Sequence, residues 1–548
     1  MNQKNSKNEE SKKLEEGMEC SRKNKSLYLI IVTIIFIFAN LAAQTPLTGI
    51  PVFFYKHRYL CKKSPSSNNF NVVCKRAFVC SNTNKLGIDY ILDPKYDIRF
   101  NSFITSYDIY CSGTKRIILA SSFFLGQLIG TIIYPFIVSF LGIIKSISIS
   151  YFTIFVSYLT IAKFNYYIIG LIFYIISSMS YLICILGVKQ YIVEMSDPKQ
   201  RPVYVLFNLL SQIFSGFFVD YISFVTLDYR YVLFFSSLIS IIGVILVNLF
   251  VVESIRILYI QRKIDKLMDN LEYISKVNNS KEYFDEWKNN NKNIFYNNNN
   301  YLDKNDEKLI PLLDKGNSNN EDEEKNDNKI GYITIWKYPS QVKLIILFSF
   351  ATFYLNYSFV LAQLEIVKQK RFFFSLLEGY SCDMIGYIFG IMITKLENYT
   401  RKSCFLFLTV LLCIMYLIGG IFYSWHNQYI FSFFRTFVNS LDANFNLYNF
   451  ESFPTLSRST GVSINRIFGK FFNLFTPLIM INFAKLGYLC GLLFGVGLFF
   501  LSFFLSPKES KDHKINEYPS EMISECEKEE TDEKDEINGD EEYKLKKN

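Results

Sequence analysis

The chain has 548 residues, half of them hydrophobic, with 54 Phe, 38 Tyr and a formal net charge of +8. Its apolar residues are gathered into blocks of about twenty, each long enough to cross roughly 30 Å of hydrocarbon, which excludes an ordinary soluble domain. The charge lies mostly between the blocks and in the tails and gives no ground for a nucleic-acid partner. The three histidines, His57, His426 and His513, lie outside the blocks, and no phosphate loop, nucleophile constellation or metal-ligand spacing suggests catalysis, a cofactor or a metal.

Residues 1–26 are polar and Lys-rich, without a cleavable signal sequence, and are expected to form a cytosolic tail. Six apolar blocks follow at 27–50, 117–144, 146–163, 166–188, 203–225 and 231–252, which predicts an N-terminal bundle over 27–255. The first block serves as its own insertion signal. Between the first two blocks, the outer loop 55–115 holds Cys61, Cys74, Cys80 and Cys111. An even set in a loop facing outside or a secretory lumen predicts two disulfides among three possible pairings, and no CxxC pair supports zinc.

The segment 256–341 is read as a cytosolic linker. Its start, Ile255 to Val277, has the periodicity of an amphipathic helix, whereas Asn278 to about Asn328 is Asn-rich, charged and expected to be disordered. Blocks at 342–362, 372–395, 403–423, 429–449, 460–483 and 486–506 predict a C-terminal bundle over 342–506. Residues 507–548 read as an acidic, solvated tail, and an even number of spans returns it to the cytosol. Lipid admits only helices or closed barrels, and blocks this long mean helices. The expectation is an all-α polytopic membrane protein of twelve transmembrane helices in two six-helix bundles.

Charge inside the blocks is scarce and informative. Arg466 and Lys470, spaced i, i+4, share one helix face in span eleven. A cation near a bilayer centre costs roughly 2.5–3.5 kcal/mol on insertion scales, so two of them suggest a cavity for something negative. Span ten places Arg435 and Asp442 two turns apart, so Asp442 pairs with Arg435 or else holds Lys470. Asp383 in span eight, or Asp442, is an alternative proton-coupling carboxylate, since burial raises carboxyl pKa values. Tyr354 and Tyr357 stand in span seven. At block ends, Glu194 with Arg201, Glu253 with Arg256, and Glu451 with Arg458 form candidate charge clasps.

Four segments carry a resemblance. They are FFYKHRYLC with YDIYC (Phe53 to Cys61, Tyr107 to Cys111), YIVEMSDPKQR (Tyr191 to Arg201), VESIRILYIQRKIDKLMDNL (Val252 to Leu271) and YNFESFPTLSRSTG (Tyr448 to Gly461). From about Phe53 to Pro507 the chain resembles the organic cation and anion transporter branch of the major facilitator superfamily. The resemblance implies the major facilitator fold, with a midplane site between two similar halves. It puts Lys470 at the position of charge selectivity, where cation carriers have Asp and anion carriers Arg. It puts Arg435 on a basic position, Tyr357 on an aromatic pair of the pocket with Tyr354 nearby, and Asp383 near an acidic position. The family's loop after span two is here GTIIYPFIVSFLGIIKS (Gly130 to Ser146), without its Asp and Arg. The matching loop after span eight, TKLENYTRKS (Thr394 to Ser403), keeps Arg401 and Lys402 with a displaced Glu397.

The expectation is a carrier moving a small organic anion by alternating access, with a proton or counter-anion as possible partner. It would act as a monomer among membrane lipid, in the plasma membrane or an organelle membrane. The alternatives are a carrier of an organic cation or of a sugar-like neutral nutrient, and a non-transporting receptor or scaffold that keeps the fold.

Overall fold

The computed structural model describes residues 2–22, 26–55, 59–62, 70–74, 76–80, 90–92, 100–197, 200–261, 263–302, 339–367, 372–395, 400–421, 428–453, 455–474 and 484–505. The helices, in chain order, are α1 (Asn2–Arg22), α2 (Leu27–Ala43), α3 (Thr45–Thr48), α4 (Ile50–Phe53), α5 (Arg76–Val79) and α6 (Phe103–Ser106). Next come α7 (Gly113–Leu141), α8 (Ile143–Lys163), α9 (Tyr167–Met195), α10 (Arg201–Thr226) and α11 (Tyr229–Phe250), then α12 (Ile255–Ile260), α13 (Ile264–Val277) and α14 (Lys281–Leu302). The C-terminal half is α15 (Pro339–Val367), α16 (Phe372–Lys395), α17 (Arg401–Ile421), α18 (Gln428–Glu451), α19 (Thr455–Asn473) and α20 (Ala484–Leu505). A helix stands at each of the twelve expected spans, and the chain is a multi-pass membrane protein.

Among the described residues, nine of these helices are long and apolar enough to cross a membrane unaided. The other three stand at spans one, ten and eleven, and each falls short for a physical reason. At span one, α2 has 17 residues and gives way to α3 and α4, each opened by a proline (Pro46, Pro51) that can supply no amide to the preceding turn. Helices α18 and α19 are polar, and their polarity builds the site described below. The last part of expected span eleven, 475–483, lies outside the described residues, as do Glu397 and the tail 507–548.

Both halves are held by the same device. Gly126 and Gly130 of α7 lie against the Ile175 and Met179 carbonyls of α9, where an added Cβ would stand 2.3 and 2.6 Å from oxygen. Gly386 and Gly390 of α16 meet the Thr436 and Ser440 carbonyls of α18 at 2.4 and 2.5 Å in the same sense. Without a hydrophobic drive between helices in lipid, such small-residue stripes let backbones approach and gain dispersion contact. Across the halves, α7 packs on α19 and α10 on α16.

On one face, here the loop face, β1 (Tyr59–Lys62), β2 (Phe70–Val73) and β3 (Tyr90–Leu92) form an antiparallel sheet in the order β2-β1-β3. Disulfides join Cys61 to Cys74 and Cys80 to Cys111, which selects one of the three possible pairings.

On the opposite, linker face, α1, α13 and α14 share an apolar seam containing Leu14, Met18, Leu267, Leu271, Phe284 and Trp287. This corrects two expectations. The amphipathic segment from Ile255 is two helices, α12 and α13, broken at Gln261. The Asn-rich stretch is helical over Lys281–Leu302, because Phe284 and Trp287 supply an apolar face that α1 covers, with Trp287 against Gly17. Residues 303–328 of that stretch lie outside the described residues.

Replacing Gly130 or Gly390 with Val should force the paired backbones apart. The expected cost is about 1–3 kcal/mol or more, read as a lower melting midpoint of the detergent-solubilised protein. The same change at Gly420, where an added Cβ meets nothing closer than 3.6 Å, should have a small effect.

A central basic cavity and two crossed clasps

Between the halves lies a cavity of about 100 Å³. The N-terminal half lines it with Gln44, Tyr181, Lys189, Asn208 and Gln212, and the C-terminal half with Asn356, Phe359, Tyr387, Asn439, Asp442, Arg466 and Lys470. Lys470, 8 % exposed, donates from Nζ to Asn356 Oδ1 at 3.1 Å. Arg466 Nη2 donates to Asn446 Oδ1 at 3.0 Å, and Lys189 Nζ donates to the same oxygen at 2.8 Å. Three cations therefore rest on neutral amide oxygens. Asp442 borders the same space and makes no ion pair with any of them among the described residues. At low effective dielectric such a surplus of positive charge concentrates anions and repels cations.

Arg435 is spent elsewhere. It grips Asp383 of α16 through two nitrogens, Nε to Oδ1 at 2.8 Å and Nη2 to Oδ2, while Asn439 Nδ2 adds a bond to Oδ1 at 2.7 Å. Neither of the partners expected for Asp442 is thus its partner. The glycine stripe of α16 brings Asp383 within reach of α18, and a bidentate guanidinium–carboxylate fork is stronger than a contact along one helix.

The two tyrosines expected in the pocket do not border it. Tyr357 Oη donates to the Gly487 carbonyl of α20 at 2.7 Å, and Tyr354 packs on Tyr416 and Gly495. The aromatic wall comes from Tyr181, Phe359 and Tyr387. Lys189, a cavity residue that the expectations do not include, lies one residue beyond the apolar block 166–188. The available signal was the i, i+4 stripe Tyr181, Ile185 and Lys189, which places all three on one face of α9.

At the linker face the clasps cross between halves. Glu194 of α9 pairs with Arg458 of α19 at 3.4 Å, both fully buried. Arg201 of α10 pairs with Glu451 of α18 at 2.8 Å, and Arg401 of α17 reaches the same carboxylate at 3.2 Å. The within-half pairs Glu194–Arg201 and Glu451–Arg458 are corrected accordingly. Each arginine bonds a nearby backbone carbonyl, Arg458 to Phe453 O and Arg201 to Ser196 O, and sends its Nη1 across the seam.

Glu253 does not pair with Arg256. Its carboxylate accepts from the Ile143 and Ile144 amides at 3.0 and 3.2 Å, capping α8 where Gly142 turns at φ 86°. It thereby holds the loop that lacks the expected Asp and Arg. Burial raises the Glu253 carboxyl above the ordinary glutamate range, against the opposing pull of these amides. Arg256 instead donates to the Glu194 carbonyl at 3.3 Å and pairs with Glu15 at 3.5 Å.

At the loop face the halves meet again. Tyr380 of α16 donates to the Thr48 carbonyl at 2.9 Å, and Phe373 packs on Phe224.

Two helical bundles meeting around a charged cavity, with contacts on either side of it, define a transporter-type membrane protein. The sequence model of the Major Facilitator Superfamily matches residues 109–477, and the chain belongs to that superfamily, whose members are transporters and not enzymes. Among solved structures it is similar to the proton:xylose symporter XylE bound to 6-bromo-6-deoxy-D-glucose. The identity is 14%, the TM-score 0.60, and the match covers 90% of this chain and 99% of that one. It is also similar to the xylose transporter XylE from E. coli in a partially occluded inward-open conformation, at 13% identity and TM-score 0.55, covering 88% and 100% of the two chains. These likenesses establish the fold. No curated protein sequence matches the chain.

Double-mutant cycles should distinguish crossed from local clasps. Glu194 with Arg458 and Arg201 with Glu451 should couple by about 0.5–3 kcal/mol in thermal stability. Glu194 with Arg201 should couple far less, and equal coupling would restore the local pairing.

Proposed function

We propose that this protein carries a small organic anion by alternating access, held between the halves by Lys470, Arg466 and Lys189. The observation that supports this reading is the donor set of the three cations. Each is bonded to a neutral amide oxygen, Asn356 or Asn446, that an anionic oxygen would outcompete, because it adds a charge–charge attraction that a neutral acceptor lacks. Asp442 lowers the net positive charge and sets an upper limit on how tightly an anion is held. The crossed clasps would part as the linker face opens and reform as it closes. A few kcal/mol at such junctions biases one conformation over the other. In this reading the linker face and both termini are cytosolic, in a plasma or organelle membrane, with exchange or proton coupling completing the cycle.

A second reading, a sugar-like neutral cargo, draws support from the carboxamides Gln44, Asn208, Gln212, Asn356 and Asn439 around the same cavity. The solved relatives are also described as xylose carriers. The basic surplus favours the anion. A charged, amide-rich centre gives no support to a receptor or scaffold with a sealed apolar core.

The test is uptake into proteoliposomes of labelled mono- and dicarboxylates and vitamin-like acids, beside cation and sugar panels. Lys470→Ala and Lys189→Ala should each reduce anion uptake about 10- to 100-fold, the loss expected for a charged hydrogen bond. Lys470→Asp should abolish it, and Asp442→Asn should tighten it. Uptake of a sugar or cation unaffected by the lysine variants would overturn the anion assignment.

A further inference from the structure

One buried carboxylate has no part in the cavity or the clasps. Asp220 of α10 lies six residues, about 9 Å of helical rise, before the loop-face end of its helix at Thr226. It is 6 % exposed, and its Oδ1 has no hydrogen-bond partner. One turn earlier, Gly216 admits the Tyr380 ring of α16, which a Cβ at that position would meet at 2.5 Å. Tyr380 then crosses the seam to the Thr48 carbonyl and lies within electrostatic reach of Asp220. The carboxyl therefore sits beside the contact through which α16 closes on the N-terminal half.

Few ionisable groups surround it. From α16, Tyr380 faces it, while Glu378 accepts a bond from Ser432 of α18. Beyond the Tyr380 ring, α18 places Arg435 at 5.7 Å from the ring centroid, already gripped by Asp383. On α11, Asp228, Tyr229, Arg230 and Tyr231 stand at the loop-face end, and α3 carries no ionisable side chain. Helix α9, which also packs on α10, carries Tyr167, Tyr174 and Tyr181 in its loop-face half and its charges, Lys189 and Glu194, in the other. The one such residue of α2, Tyr28, is at its opposite end. No cation pairs with Asp220 among the described residues. An ionised carboxylate left there would be costly, whereas the neutral acid would not.

We propose that Asp220 is a proton-binding site that controls closure of the loop face. Protonated, it allows Tyr380 to seal α16 against α10; ionised, it draws in water and parts the two helices. The proton comes from, and returns to, solvent on the loop face, so the device operates whatever solute the cavity holds.

The experiment uses the full chain in vesicles with Thr48→Cys as reporter and a membrane-impermeant maleimide as probe, from about pH 5 to about pH 8. Labelling is expressed as the ratio to the same reporter carrying Asp220→Asn, which cancels the thiol's own pH dependence. The ratio should be near one at the acid end and rise severalfold at the alkaline end. Asp220→Glu should keep the rise with a displaced midpoint. A ratio independent of pH would overturn the proposal. Should the asparagine variant fail gel filtration, Asp220→Ser supplies the neutral reference. Labelling needs no transported solute, so a failed anion assignment and a failed proton site give distinguishable results.

Discussion

A charge taken into the middle of a membrane protein must be answered by an opposite charge, a dipole or water, and this molecule gives six of its cations three different answers. Arg435 receives a full carboxylate fork from Asp383 and is thereby neutral to its surroundings. Arg201 and Arg458 receive carboxylates from the opposite half, so their neutralisation depends on how the halves stand. Lys189, Arg466 and Lys470 hydrogen-bond to amide oxygens and share the field of one carboxylate, Asp442, with which none of them forms an ion pair among the described residues. The grading from complete, to conditional, to partial compensation separates scaffold, clasp and cavity without reference to any homologue.

The scaffold itself is a repeat. The glycine stripe of α7 on α9 recurs in α16 on α18, and the crossing of α7 with α19 recurs as α10 with α16. A pair of similar halves meeting about a common axis makes the clasps reciprocal. The carboxylate that ends α9 meets the arginine near the start of α19, and the carboxylate that ends α18 meets the arginine that starts α10.

Sequence patterning made the architecture legible because a bilayer imposes one length and one polarity on every span. The twelve blocks, the Cys-rich loop and the basic pair Arg466 and Lys470 could all be read in that way. Partners could not. Charges near each other along the chain, such as Glu194 and Arg201, look like a pair until the fold brings the other half against them. Lys189 stands one residue past the apolar run that ends at Val188, and Tyr354 and Tyr357 belong to a chain so rich in tyrosine that packing and lining residues look alike. The helix α14 was obscured because its two apolar anchors, Phe284 and Trp287, are embedded in asparagine and gain meaning only once α1 covers them.

Asn446 belongs to the C-terminal half, yet its single side-chain oxygen is shared by Arg466 from that half and Lys189 from the other. A solute that draws both cations to itself would release this oxygen and with it a polar tie across the central seam. The two halves are thus tied at their midpoint through one amide, and any rocking of one against the other must first part Lys189 from Asn446.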